Sequence, residues 1–226
     1  MMAQPFDWAA FWEPVLLSLR VALLAGTCTL ALGTLAAWGV ARRRFRGRVL
    51  VETLFMLPLV LPPTVVGFLL LVALGRNSAL GRLAEWIFAA PILFSWWAAV
   101  IAAVVVAFPL VYQTMKVGFN SVDRHLEDAA RSAGAREWQV FRYVTFPLVG
   151  RSFAAAFVLG TARALGEFGA TLMIAGNIPG HTQTVPTAIY VAVDAGRQEM
   201  AWAWTLSIVA ISFVMLLLTG RGRAER

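Results

Sequence analysis

The sequence predicts an all-α integral membrane protein with five transmembrane helices, the N-terminus outside and the C-terminus in the cytoplasm. Three observations predict it. Of the 226 residues, 60% are hydrophobic and 14% charged, against about 45–50% apolar and about 25% charged in a soluble domain. Five stretches hold the roughly 20 mainly apolar residues that crossing about 30 Å of hydrocarbon requires. The arginine-rich segments fall on one side of the membrane only if the chain crosses an odd number of times. The net charge of +7 is therefore assigned to topology. A nucleic-acid footprint is a poorer account, because the arginines sit in short loops beside apolar runs.

Residues 1–13 form an extracytoplasmic segment. Asp7 and Glu13 stand where a secretory signal would carry positive charge. The membrane domain covers residues 14–219, and its first span runs from about Val15 to Ala41. It contains Cys28, the one cysteine, which reads as a small buried hydrophobe. "ARRRFRGR" follows, with five arginines and no acid, on the cytoplasmic side. The second span, about Val51 to Leu74, contains "LPLVLPPTVVG". Pro58, Pro62 and Pro63 are candidate helix breaks, since proline removes an amide donor. Broken backbone at membrane depth is tolerated where protein buries it or where it lines a wet cavity; a packing kink is the alternative. Gly75 to Pro91 holds only Arg76 and Arg82 and lies outside. The third span is about Ile92 to Met115. A cytoplasmic loop of residues 116–147 carries Lys116, Arg124, Arg131, Arg136 and Arg142. The fourth span is about Leu148 to Ala175 and the fifth about Trp202 to Thr219. Residues 220–226 are a basic cytoplasmic tail. Trp8, Trp12, Trp86, Trp96, Trp97 and Trp202 mark the outer border, where indole rings favour the interface.

The fourth span ends in "TARALGEFGATLMIAG". Arg163 and Glu167 are four apart and share a helix face. Ionisable residues within a span mark a pathway or an internal packing pair. Gly166, Phe168 and Gly169 surround them as further pathway candidates. Gly160, Gly166 and Gly169, with Ala162 and Ala170, permit close helix approach, as packing against a second copy would need. "GNIPGHTQTVPTAIY", Gly176 to Tyr190, offers neutral donors to an oxyanion or an ordered outer loop for a partner. His125 and His181, the two histidines, lie on opposite sides, so no catalytic or metal site is expected. No Gly-x-x-x-x-Gly-Lys precedes Lys116, the one lysine, so there is no P-loop.

The cytoplasmic segment "VDRHLEDAARSAGAREWQVFRYVTFPL", Val122 to Leu148, has its own organisation. Asp123 can cap a helix, with Glu127 and Asp128 in its early turns. Leu126, Ala129, Ala130 and Ala133 form a small apolar face, and Gly134 is a helix terminator. A second short helix would carry Trp138, Phe141 and Val144 on one side. Pro147 would start the next span. The expectation is a helix–turn–helix lying across the membrane face and offering a docking surface.

This segment resembles the EAA loop of type I ABC importer permeases. Asp128, Ala129, Ala130 and Gly134 fall at the motif's acid, alanine and glycine positions. Val144, Phe146 and Pro147 fill its end. Asp128 stands for the usual glutamate, with Glu127 beside it, and Phe146 for a leucine. The resemblance implies docking on a separate ATPase through Glu127, Asp128, Ala129, Ala130, Gly134 and Pro147. It continues through "LPLVLPPTVVGFLLLVALGR", "ARALGEFGATLMIAGNIPG" and "TVPTAIY", which are similar to the oxyanion branch of that family. There, "NIPG-x-T-x-T-x-P-x-A-x-Y" points to molybdate, with sulfate and tungstate the near alternatives. The implied assembly has two permease copies, two ATPase subunits that use ATP and Mg, and an extracytoplasmic binding protein in a bacterial inner membrane. This chain itself would hold no cofactor and carry no enzymatic activity. Against a channel, a secondary transporter or an assembly protein, the discriminating features are an associated ATPase and loss of uptake on deletion.

Overall fold

The computed structural model describes residues 7–41, 45–88 and 90–224. Every regular element among them is helical: α1 (Trp8–Ala41), α2 (Arg48–Val60), α3 (Pro63–Leu74), α4 (Ala79–Phe88), α5 (Trp96–Asn120), α6 (Arg124–Ser132), α7 (Glu137–Val140), a π-helical turn (Phe141–Thr145), α8 (Phe146–Leu165), α9 (Gly169–Ala175), α10 (Val185–Asp194) and α11 (Gln198–Ala224). Arg42, Arg43 and Arg44 of the first basic run, residues 1–6 of the N-terminal segment and residues 225 and 226 of the tail lie outside the described residues.

Helices α1, α5 and α11 and the continuous rod Glu137–Leu165 are long and apolar enough to cross a membrane. The α2–α3 pair is bent by 114°. Its packing nonetheless follows α5 from end to end. Val51, Phe55 and Met56 of α2 pack with Val111, Tyr112 and Met115. Val66, Leu70 and Leu71 of α3 join Ala98, Ala99 and Ala102, near the other end of α5. The pair therefore reads as one broken span, which makes five.

The centre is α1, α5 and α8, drawn together by small residues. A Cβ on Gly26 would stand 2.1 Å from Thr161 Oγ1. One on Gly160 would meet Val111 at 2.5 Å, and one on Gly118 would meet Ser152 at 2.5 Å. Lipid offers helices little hydrophobic reason to associate, so such van der Waals approach carries the packing. Gly160 and Gly169, expected against a second copy, are instead used within the chain. Gly169 faces Pro63 across a 2.9 Å Cβ approach.

Several boundaries differ from expectation. The N-terminal segment is already helical from Trp8, because Asp7 Oδ1 accepts the Ala9 and Ala10 amides at 3.0 and 3.1 Å. Lys116, expected in the cytoplasmic loop, lies inside α5. Pro58 does not break its helix; it sits in the last turn of α2, and the chain leaves the helix at Leu61 and Pro62. Pro63 opens α3 at a position where its missing amide costs nothing. The fourth span is not continuous to Ala175 but stops at Leu165 and restarts at Gly169. The 75–91 and 176–190 loops contain α4 and most of α10. The latter is clamped to α1 by a Val185 amide donating to Ser18 Oγ at 2.7 Å.

Pro147 does not begin a new helix. α7, the π-turn and α8 are one rod, so the expected second short helix lying across the membrane face is the foot of a span. The wider turn accommodates the proline. The Phe146 amide reaches back five residues to the Phe141 carbonyl, and Pro147 has no amide to place.

Candidate functional site

Two groups of polar residues stand out, one at each level of the bundle. The first surrounds α6. Asp123 Oδ1 accepts the His125 amide at 2.9 Å, capping the helix as its sequence suggests. At the other end Gly134 has φ +88°. Its amide donates to Arg131 O at 2.9 Å, and the Ala135 amide donates to Ala130 O at 3.0 Å. This pair of bonds is the Schellman closure.

The helix is inverted relative to an ordinary surface helix. Leu126 is 50% exposed, and Ala129 and Ala133 are exposed beside it; Ala130 is half-buried at the edge. Glu127, by contrast, is 2% exposed. An amphipathic helix normally turns its apolar stripe inward; here the stripe faces outward.

Glu127, expected among the docking residues, is not on this outer face. Thr145 Oγ1, on the π-turn, donates to Glu127 Oε1 at 2.5 Å, and both side chains are buried. A carboxylate sealed under the helix cannot meet a partner across its outer face. Asp128 is the exposed acid, and accepts from Arg131 Nη1 at 2.7 Å. Arg131 also donates from Nε and Nη2 to the two Glu137 oxygens at 2.6 and 3.1 Å, with Glu127 Oε2 at 4.0 Å. The Glu137 carboxylate first, and Asp128 after a smaller opposing effect of burial, push the Arg131 guanidinium further above the usual arginine range. Arg131 thus ties α6 to α7. A cavity of about 250 Å³ lies beside it, lined by Trp38, Arg131, Glu137, Val140, Phe141 and Thr145. Pro147, expected in the same docking set, lies within the rod.

The second group sits where two spans break. Arg163 Nη1 donates to Glu167 Oε2 at 2.9 Å. Glu167 is 3% exposed, and its Oε1 accepts the Ala170 amide at 2.9 Å, in the first turn of α9. The carboxylate therefore serves as both ion-pair partner and helix cap. Arg163 and Gly166 keep exposure on one face. Phe168 reaches outward to the Tyr190 ring, 5.5 Å between centroids. The start of α9 lies directly against the start of α3, Gly169 on Pro63 and Gly67 on Ala170 and Met173. Two helix N-termini with their partial positive ends thus meet beside one arginine and one carboxylate. The structure brings Arg163, Glu167, Gly169 and Pro63 together; Pro58 lies apart, in α2.

A third cluster was not read from the sequence. Glu52 Oε1 accepts from both Arg48 Nε and Lys116 Nζ, each at 2.9 Å, joining α2 to α5. The signal was an acid just inside one span and the lone lysine just past another, 64 positions apart, with no local spacing to connect them.

Residues 29–221 match the family described as binding-protein-dependent transport system inner membrane component. The chain is 56% identical over 206 residues to YvgM of Bacillus subtilis (strain 168), covering 91% of each chain. It is 44% identical over 208 residues to the molybdenum transport system permease protein ModB of Escherichia coli (strain K12), covering 92% of this chain and 90% of that one. Its fold is similar to a chain in the inward-facing MetNI methionine ABC transporter, with a TM-score of 0.74, 16% identity and 97% of both chains covered.

Proposed function

Because this chain belongs to the family of binding-protein-dependent transport system inner membrane components, we propose that it is the permease subunit of an ATP-driven ABC importer that carries molybdate across a bacterial inner membrane. One observation carries the reading: 44% identity to a molybdenum transport permease over nine-tenths of both chains. The protein is a multi-pass membrane protein and does no covalent chemistry. ATP and Mg belong to two separate ATPase subunits, which dock on the outward Leu126–Ala129–Ala133 stripe of α6 and on Asp128. A second permease copy completes the pathway, and a molybdate-binding protein delivers the anion to the end bearing α4 and α10.

Arg163, Glu167 and the paired breaks at Pro62–Pro63 and Gly166–Phe168 are the candidate pathway elements. With Glu167 satisfying Arg163 and the α9 terminus, the passing oxyanion meets a weakly positive lining. Each conformational state must bind the ATPase and the binding protein differently for ATP to drive transport.

The test is reconstitution in proteoliposomes with the ATPase and binding protein encoded nearby. Molybdate uptake should require ATP and the binding protein, and tenfold excess sulfate should compete poorly. ATP-independent uptake would favour a secondary transporter, and equal competition by sulfate would replace the substrate. In the same assay Glu167→Gln should slow uptake about tenfold, the scale of one charge-assisted hydrogen bond, with assembly intact. Normal uptake by that variant would remove the pair from the pathway.

A further inference from the structure

The polar bonds described for α6 lead to a single helix. Arg131 is anchored on Glu137, at the start of α7, and Glu127 on Thr145, the last residue of the π-turn. Both anchors belong to the rod that continues through α8 to Arg163. The Thr145–Glu127 bond joins residues 18 apart in sequence, and the two side chains are 1% and 2% exposed. Neither residue faces the docking stripe, and neither approaches Arg163 or Glu167. The bond thus lies beneath the docking stripe and apart from the Arg163–Glu167 pair.

The π-turn gives its position meaning. Such a turn holds one residue more than the α-helical register on either side. The helix below and the helix above can therefore change relative rotation by altering this turn, without breaking either one. Pro147 keeps the surplus local, because it offers no amide with which to restore an ordinary ladder there.

We propose that the buried Thr145–Glu127 bond is the joint that passes displacement of α6 into rotation of the span carrying Arg163. Thr145 and Glu127 are positioning residues in this scheme. They set how docking motion reaches the pathway and contact neither ATPase nor anion. The inference rests on the proposed importer function.

The experiment measures molybdate transported per ATP hydrolysed, using the complete complex with binding protein in proteoliposomes. Thr145→Val keeps the shape and removes the hydroxyl. Its complex should retain the ATPase subunits and hydrolyse ATP within about twofold of wild type, while molybdate moved per ATP falls about tenfold, the equilibrium effect of losing one hydrogen bond to a charged group. Thr145→Ser should restore the ratio. The double variant Thr145→Val with Glu127→Leu removes both partners of this bond together, so no buried carboxylate is left without its hydroxyl; it should assemble and be equally uncoupled. A wild-type ratio in the single or double valine variant overturns the proposal. So does a parallel fall of hydrolysis and transport in both, which would make the bond a folding brace. Failure of the wild-type complex to show ATP-dependent uptake is a separate result, and it overturns the function on which the inference rests.

Discussion

At Gly134 the backbone sits at φ +88° with no atom within 4 Å of where a Cβ would stand. The constraint inside this chain is therefore conformational, costing an ordinary L-residue about 1–2 kcal/mol. Asparagine tolerates that region and valine does not. We expect Gly134→Asn to retain most ATPase copurification and Gly134→Val to lose most of it, with the α6 terminus less protected from hydrogen exchange. Equal loss in both would mean that the new side chain collides with the partner. The neighbouring acids show what one residue's spacing conceals. Glu127 and Asp128 are adjacent and alike in charge, yet one is sealed against Thr145 and the other exposed. Their separation by about 100° around the helix was legible. Which side would face inward was not, because the apolar stripe points away from the body.

Breaks in the spans belong to the scale of elements. The Pro62–Pro63 break was legible, since consecutive prolines cannot continue a helix. The one at Gly166–Phe168 was not, because "LGEFGATL" carries no proline and stays compatible with a helix. It forms where α9 turns to lie on α3, with Glu167 supplying the cap that the new N-terminus needs. Gly67 makes this contact possible: its Cβ would stand 2.7 Å from Met173 Cβ and 2.9 Å from Ala170 Cα. Backbone cannot yield as a flexible side chain can. Gly67→Val should cost about 1–3 kcal/mol of stability by overpacking, read as a lower melting temperature in detergent. An unchanged melting temperature would show that α3 and α9 separate freely. The amphipathic α4 was hidden for a different reason. Ten residues with charges on one face look like a loop when only transmembrane length is sought.

For the whole molecule, the distribution of arginines sets the testable property. Introduced cysteines at Arg46 and Asn77, which flank the α2–α3 pair and are exposed, in a Cys28→Ser background, should label from opposite sides of the membrane, residue 46 from the cytoplasm and residue 77 from outside. Labelling of both from one side would make the α2–α3 pair a re-entrant loop and leave four crossings. The five-span expectation rests on sums over segments. Hydropathy over about 20 residues and arginine counts over short loops are insensitive to which residue touches which. For that reason the membrane class, the all-helical architecture and a capped, glycine-terminated short helix between spans were legible from the sequence. Only the packed structure shows that the fourth span breaks at Gly166–Phe168, that small residues are used within the chain, and that Glu127 is buried. Those outcomes depend on contacts between distant segments: Gly169 on Pro63, Gly26 on Thr161, Glu52 on Lys116. Each is a matter of close approach and desolvation at one point, and no local periodicity records it.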